Sequence, residues 1–467
     1  MVFASLFFLY FFLPPLLGIF FLVPARWKNF VLLAGSLFFY YYGEPYYIVI
    51  MIFAIFSGYL HGLAIDKYRG GRCGCLFFLS SVAISVGLLA FFKYAAFFTA
   101  NFNALLRADL GVIRPVQPLG ISFYTFQILS YTIDVYRGKA QAQKSLLNFA
   151  LYVSFFPQLV AGPIVRYTAV AAALDSRRYS LDGLAYGSRR FIIGLAKKVL
   201  IANVLGELGS VFNAAAEKTV LFYWLYAISF SLQIYYDFSA YSDMAIGLGR
   251  IFGFHFPENF IYPYIARSIT EFWRRWHISL GSWFRDYVYI PLGGSRVPKR
   301  RFFGNIIIVW FLTGFWHGAY WNFIVWGLFF AFLLILEKQF LLKLLQRTPS
   351  FLAHFYVIFC VVLSFVMFNA SGVKEGLSSI AAMFGLSGIP FTDAATAYYL
   401  RSYAILLLMA LMGATPLFTR LTASLSGTKL GGRLLLTAEP FCLAALLLAV
   451  TAYLVDGSFN PFLYFRF

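Results

Sequence analysis

Long apolar runs recur along the whole chain and constrain its fold more than any other feature. Examples are FFLYFFLPPLLGIFFLV (7–23), YYIVIMIFAIFSGYL (46–60) and FCLAALLLAVTAYLV (441–455). About 20 apolar residues span a bilayer core as an α-helix, which satisfies its own backbone there. With 61% hydrophobic and 12% charged residues among 467, too little polar surface remains for a soluble protein. We therefore predict an all-α, polytopic integral membrane protein with roughly 10–12 membrane-embedded helices, some of them re-entrant or interfacial.

The formal net charge of +19 has two explanations. Basic proteins often bind nucleic acid. Here, however, the Lys and Arg clusters punctuate apolar runs, which is the pattern of short cytoplasmic loops in membrane proteins. We therefore expect a lipid bilayer and no nucleic-acid partner. The spacing of the cysteines and histidines does not support a metal site, and we expect none.

The stretch YIARSITEFWRRWHISLGSWFRDYVY (264–289) has apolar residues at steps of three and four, the period of one helical face. Arg267, Arg274 and Arg275 lie away from that stripe. A basic, Trp-rich amphipathic helix lies in the membrane interface. We predict one such helix here, at the cytoplasmic side and ending near Pro291, with His277 directed toward its aromatic side.

The stretch LTGFWHGAYWNFIVWGLFF (312–330) contains a single titratable side chain, His317. One interpretation is a core histidine that donates to a backbone carbonyl. The other is function, because ionisable residues inside membrane segments are functional candidates by default. Gly314 and Gly318 flank it and would let a neighbouring helix or a ligand approach closely. Elsewhere, Asp237 and Asp243 lie among aromatic and small residues, and we expect structural pairing with arginines, since buried carboxylates need partners.

Together these segments resemble the membrane-bound O-acyltransferase (MBOAT) family, in its bacterial alginate-O-acetylation branch. The resemblance covers most of the chain and is carried by PLGISFYTFQILSYTIDVYRG, FFPQLVAGPIVRY, the long stretch YSDMAIGLGRIFGFHFPENFIYPYIARSITEFWRRWHISLGSWFRDYVYIPLGG, LTGFWHGAYWNFIVWG and NPFLYFRF. It implies a single domain over 1–467, with helices around a thinned membrane core and acyl-transfer motifs in 118–330. The family signature is a membrane-embedded histidine with a second histidine upstream in this branch, here His317 and His277.

The resemblance implies transfer of an acyl group, with acetyl favoured, from a cytoplasmic thioester to a hydroxyl. The donor would be acyl-CoA or an acyl carrier protein, with no permanently bound cofactor. His317 would act as general base. His277 would orient the acceptor or polarise the thioester carbonyl. Arg274 and Arg275 would attract donor phosphates or an acidic carrier.

The implied setting is the inner (cytoplasmic) membrane of a bacterium. The acyl group would cross this membrane for O-acylation of an extracytoplasmic polysaccharide or cell-wall polymer, with an extracytoplasmic or membrane-anchored acyltransferase as partner. Two alternatives stay open: a non-catalytic scaffold for a secreted transferase, and a transporter of acyl groups or glycans. The absence of mirrored halves disfavours the transporter.

The C-terminal tail, residues 456–467, adds a further candidate. It resembles the C-terminal motif of the small membrane companion in the related teichoic-acid D-alanylation system, whose tyrosine has been proposed to carry the acyl group. By this resemblance, Tyr464 is a possible acyl relay. The alternative is an interfacial anchor, because Tyr and Phe beside Arg466 suit the headgroup level.

Overall fold

The computed structural model describes residues 1–109, 111–160 and 162–457, and these ranges contain helices and no β-strand. Five of the described helices are long and apolar enough to cross a bilayer, namely Ile48–Lys67, Arg72–Leu106, Ser350–Asn369, Ala394–Gly413 and Lys429–Val455. A shorter apolar helical segment covers Phe7–Leu22. These elements confirm the predicted all-α, multi-pass membrane architecture.

The described residues form two compact units: unit 1 lies within 1–191 and 242–257, and unit 2 within 192–241 and 258–457. The α-helices that begin in the first part of unit 1 are α1 (Leu13–Leu22), α2 (Lys28–Gly43), α3 (Ile48–Lys67), α4 (Arg72–Leu89), α5 (Ala95–Leu106), α6 (Ile121–Tyr136), α7 (Leu146–Ser154), α8 (Phe156–Leu159), α9 (Tyr167–Asp175) and α10 (Leu181–Ala196). The assignment of 1–467 to one family domain stays a prediction.

Unit 2 carries the remaining helices. They are α11 (Val204–Ala214), α12 (Val220–Ile251, which ends in unit 1), α13 (Ile269–Arg275), α14 (Ile278–Phe284), α15 (Lys299–His317), α16 (Trp321–Leu336), α17 (Leu342–Arg347), α18 (Ser350–Asn369), α19 (Val373–Met383), α20 (Ala394–Gly413), α21 (Leu417–Ser426) and α22 (Lys429–Val455). Its core is aromatic, and Trp276, Trp326 and Phe365 are among its buried members.

Both carboxylates singled out in the sequence, Asp237 and Asp243, have cationic partners. Within unit 1, Arg190 and Asp243 form an ion pair at 2.8 Å, as predicted. Within unit 2, Asp237 pairs with Lys198 at 2.6 Å, and both side chains are almost fully buried. The partner of Asp237 is therefore a lysine and not the expected arginine. Each pair satisfies a charge that would otherwise be costly to bury.

Helices α15 and α16 form a close antiparallel hairpin that places His317 at the C-terminal end of α15. Two glycines permit the close approach. A Cβ atom on Gly314 would overlap the carbonyl oxygen of Phe323, and one on Gly327 would overlap the carbonyl oxygen of Trp310. The prediction that Gly314 admits a neighbouring helix is thus confirmed, because small residues let helix backbones meet.

The predicted single helix over 264–289 is wrong. The segment consists of α13, a break at Trp276 and His277, α14, and a π-helical turn over Arg285–Tyr289. The helix ends are capped from elsewhere in unit 2: Ile261 N–H donates to the carbonyl of Arg275 at 2.9 Å, and the Glu337 carboxylate accepts from two N–H groups at the start of α13. Hydrogen-bond partners from outside the helix can stabilise a helix end at a point where the sequence pattern alone predicts that the helix continues.

Candidate active site

His277 lies between α13 and α14, and its backbone has the left-handed conformation, with φ of 45°. This conformation costs a non-glycine residue about 1–2 kcal/mol and persists only where surrounding contacts fix it. Asn259 provides such contacts at the first turn of α14. Its backbone carbonyl accepts from Ile278 N–H at 3.0 Å, and its Oδ1 accepts from Ser279 N–H at 3.1 Å. Two otherwise unsatisfied N–H groups of α14 are thereby paired.

The hydrogen bonds of Asn259 also determine which nitrogen of the His277 ring carries the proton. The backbone N–H of Ser279 can only donate, so the Asn259 atom that faces it is the oxygen. That oxygen also lies 3.2 Å from Nδ1 of His277. Because an amide oxygen only accepts, Nδ1 carries the proton and donates it to Asn259. In the neutral ring, Nε2 therefore holds the lone pair.

Nε2 of His277 is buried and has no hydrogen-bond partner in the described part of the chain. His277 lies outside the helices that are long enough to span a bilayer. Burial lowers the pKa of His277 well below its ordinary value, and charge on His317 lowers this pKa further. The neutral ring is thus the dominant form at pH 7. Nε2 can accept a hydrogen bond or a proton, and it can donate only after protonation.

His317 is also buried, with 7% of its surface exposed, and lies among rings. The ring of Trp326 on α16 and that of Phe368 on α18 pack edge-on to it, with centroid distances of 5.2 and 5.4 Å. The Nδ2 atom of Asn322 donates to the carbonyls of Phe368 and Ala370 at 3.3 and 2.8 Å, which fixes the end of α18. Packing from two neighbouring helices therefore sets the position of His317.

Trp316 joins the two histidines. Its ring centroid lies 5.0 Å from that of His317 and 6.0 Å from that of His277. Phe238 packs edge-on to His277, at 4.6 Å between ring centroids. The two predicted catalytic histidines are thus brought together in unit 2, within one aromatic environment that limits access of water.

A cavity of about 470 Å³ in unit 2 is lined by His277. Apolar side chains of α14 and α15 form much of its wall, including Leu280, Val309 and Trp310. Its other lining residues include three cations, Arg274, Arg285 and Lys338. His317 does not line this cavity. The arrangement is a largely apolar cavity with basic residues and His277 in its lining.

The two predicted donor-binding arginines differ in position. Arg274 is exposed and lines the cavity of His277. Arg275 forms an ion pair with Glu271 at 2.8 Å, donates to the Ile261 carbonyl at 3.2 Å, and lines a different cavity. The geometry therefore brings Arg274, and not Arg275, to the histidine. Tyr464 lies outside the described residues.

Two residues that hold this site have no role in the sequence-based prediction, Asn259 and Glu337. Asn259 is fully buried, and its only sequence signal is its place among aromatic residues between Pro257 and Pro263. Glu337 is 1% exposed and accepts from Thr270 Oγ1 at 2.6 Å, in addition to its backbone bonds. The sequence signal for Glu337 is a lone carboxylate at the end of a long apolar run. Such a carboxylate predicts a partner, since buried charges need partners.

Comparisons with known proteins identify the family of this chain. A family model described as MBOAT, the membrane-bound O-acyltransferase family, matches residues 137–380. The chain is 39% identical over 398 residues to the probable alginate O-acetylase AlgI of Azotobacter vinelandii, which covers 84% of this chain and 80% of that protein. It is 34% identical over 399 residues to the peptidoglycan O-acetyltransferase of Helicobacter pylori, covering 79% and 75%. It is 30% identical over 317 residues to the teichoic acid D-alanyltransferase of Bacillus subtilis, covering 61% and 78%.

Proposed function

This chain belongs to the membrane-bound O-acyltransferase family and is therefore a membrane O-acyltransferase. We propose that it transfers an acyl group from a cytoplasmic thioester to a hydroxyl group, and that this acyl group is destined for an extracytoplasmic polymer. The observation that carries the proposal is Nε2 of His277, buried without a described partner beside the cavity of about 470 Å³. An unpaired lone pair beside a largely apolar cavity suits reversible contact with a hydroxyl.

His317 is the proposed general base. It takes the proton of the acceptor hydroxyl, whose oxygen then attacks the thioester carbonyl carbon. As the new C–O ester bond forms, the C–S bond breaks, and the departing thiolate takes up a proton. Proton transfer of this kind contributes about 10²–10⁴-fold to rate.

His277 is proposed to orient the acceptor. A sugar presents neighbouring hydroxyl groups, and Nε2 can accept a hydrogen bond from one while His317 deprotonates the other. The alternative role, polarising the thioester carbonyl, requires a proton on Nε2. The Nδ1–H tautomer and the lowered pKa of His277 favour the orienting role over the polarising one.

The proposed donor is acyl-CoA or an acyl carrier protein. Arg274 and Lys338 are exposed residues in the cavity lining and would pair with phosphate oxygens of either donor. The apolar wall would cover the thioester and limit hydrolysis. Arg275 has a weaker case as a ligand of the acyl donor, because it lines a different cavity from His277.

The proposed acyl group is acetyl, and the proposed acceptor is a polysaccharide or cell-wall polymer outside the inner membrane. Two of the relatives are named for O-acetyl transfer, to alginate and to peptidoglycan, and a third for D-alanyl transfer to teichoic acid. What these names share is a polymer of the cell envelope. An extracytoplasmic or membrane-anchored acyltransferase would complete delivery to the polymer.

Release of free thiol from acetyl-CoA or an acetylated carrier protein by the purified protein in nanodiscs tests the proposal. We expect thiol release that depends on His317 and is retained in His61→Ala, which removes an imidazole on α3 that bonds Ser57 and Ser80. An intact thioester with wild-type protein would instead favour the scaffold or the transporter.

The relay role of Tyr464 stays a prediction beside the anchor interpretation. If Tyr464 carries the acyl group, intact-mass analysis of the C-terminal peptide after incubation with donor alone detects acylation of its phenol oxygen. Full activity of Tyr464→Phe, which preserves the aromatic anchor, would end the relay hypothesis.

A further inference from the structure

A second cavity in unit 2, of about 650 Å³, has α13 as a common wall with the cavity of His277. Thr270, Trp273 and Arg274 line the first cavity, whereas Glu271 and Arg275 line the second. No step of the proposed acyl transfer uses this second cavity. It has the larger volume of the two, and its lining is markedly basic.

Three guanidinium groups converge on this cavity from separate elements: Arg267 before α13, Arg275 on α13 and Arg420 on α21. The one carboxylate in the lining, Glu271, accepts from the side chain of Arg275 and from the backbone N–H of Arg267, each at 2.9 Å. Among the described residues, no side-chain ion pair is formed by Arg267 or Arg420, although the charge of Arg267 also stabilises the carboxylate of Glu271. The lining thus carries three positive charges against one negative charge.

Convergence distinguishes this cluster from the basic residues that ordinarily flank membrane helices. Those residues need only reach water or headgroups and have no reason to share one concave site. Guanidinium groups are planar donors that match phosphate oxygens in pairs. A concave site with surplus arginines is therefore suited to a phosphate group.

Helix α21, which supplies Leu417 and Arg420 to the cavity, indicates where that phosphate comes from. The helix has no buried residue, and it exposes Phe418, Leu421 and Leu425 at spacings of three and four residues. An exposed helix with one apolar face and a basic side chain outside that face is typical of the plane between headgroups and acyl chains. The apolar face therefore continues the basic cavity into a lipid-contacting surface.

We propose that this cavity binds the phosphate of an anionic phospholipid headgroup, with the guanidinium groups of Arg267, Arg275 and Arg420 as donors and the acyl chains along the apolar face of α21. Arg275 keeps its bond to Glu271 and contributes its remaining N–H groups. Bound lipid would thereby contact α13, the helix that ends immediately before the break at His277.

Native mass spectrometry of the purified protein, titrated with phosphatidylglycerol and separately with phosphatidylcholine, tests the site. Each cation near an anionic lipid surface contributes roughly a fivefold factor in binding. Arg420→Gln should weaken phosphatidylglycerol binding about fivefold and Arg267→Gln/Arg420→Gln about thirtyfold. Arg347→Gln is the matched control, because it removes an exposed arginine at the end of α17 that does not line the cavity.

Retention of phosphatidylglycerol by the double variant, or equal losses in Arg347→Gln, would overturn the site. Equal affinity for phosphatidylcholine would overturn the preference for an anionic headgroup. Displacement of phosphatidylglycerol by inorganic phosphate at matched concentration would identify a soluble phosphate and overturn the lipid assignment. No acyl donor is present, so these outcomes do not depend on the proposed acyl transfer. Arg420→Gln changes only an exposed side chain, which keeps the test valid if the double variant is unstable.

Discussion

His277 and His317 are neighbours in the same unit, but the described contacts that hold them differ in kind. His277 lies in a break between two short helices, and polar contacts from Asn259 fix its backbone and its ring. His317 ends a regular helix, and close packing at Gly314 and aromatic rings fix it. Hydrogen bonds specify a tautomer, whereas packing against rings sets only the location of the imidazole. The described contacts therefore preset the ring orientation and proton position of His277 and the location of His317.

The largest expected effect is that of His317→Ala. Removing a general base should lower acyl transfer about 10²–10⁴-fold while the protein stays folded in the membrane, because the loss is chemical. Radiolabelled acetyl transfer and the thermal unfolding midpoint measure the two properties separately. A variant with near wild-type transfer would remove His317 from the mechanism.

His277→Asn should lower acyl transfer by roughly 10²-fold, near the lower end of the range for acid–base groups. Asparagine tolerates the left-handed backbone at φ of 45°, so this variant removes the imidazole and keeps the break. His277→Ala adds backbone strain and should also lower the unfolding midpoint. If His277→Asn were as active as wild type and only His277→Ala were impaired, the residue would have a structural role alone.

Asn259→Asp should change the pH dependence of transfer. Burial, and secondarily charge on His317, lower the pKa of His277, so the wild type keeps the neutral ring at pH values below the ordinary histidine range. A carboxylate beside Nδ1 stabilises the imidazolium and raises this pKa. The acid limb of the kcat/KM profile should therefore move to higher pH. On that limb, activity at a fixed pH falls about tenfold for every pH unit that the limb moves.

The matched variant Asn259→Ala separates this electrostatic effect from a loss of structure. It removes the side-chain acceptor, and leaving a buried donor unpaired costs about 1–3 kcal/mol. It should lower stability and activity without raising the pKa of His277. An acid limb that moves equally in Asn259→Ala and Asn259→Asp would contradict the assignment of Asn259 as the group that positions the Nδ1 proton.

The same contrast explains what could be predicted from the sequence. The apolar helices follow from local periodicity, which needs no knowledge of distant residues. His277 does lie among aromatic rings, but those of Phe238, Phe260 and Trp316 lie outside the predicted helix. The pairing of His277 with His317 came from family resemblance. The break at His277 was not predictable, because the residues that stabilise it are distant in the sequence. Asn259, which contacts His277, lies 18 residues upstream of it. Glu337, which caps the start of α13 at Ile269, lies 68 residues beyond Ile269. The pairing of Asp237 with a lysine is likewise determined by the tertiary structure and cannot be predicted from residue spacing.

The smallest expected effect concerns the packing that holds His317. A Cβ atom at Gly314 would overlap the carbonyl of Phe323, so Gly314→Ala should push α16 away from α15 and lower the free energy of unfolding by about 1–3 kcal/mol. Gly304→Ala is the control on the same helix, since a Cβ atom there meets nothing within 4 Å. Alanine's higher helix propensity should make that variant neutral or more stable, by up to about 1 kcal/mol. Thermal unfolding in one detergent measures both, and acetyl transfer at a temperature where both are folded shows whether the displaced hairpin also misplaces His317. Equal stability of the two variants would mean that the α15–α16 contact at Gly314 does not set the position of His317, and the distinction between a histidine held by packing and one held by hydrogen bonds would fail.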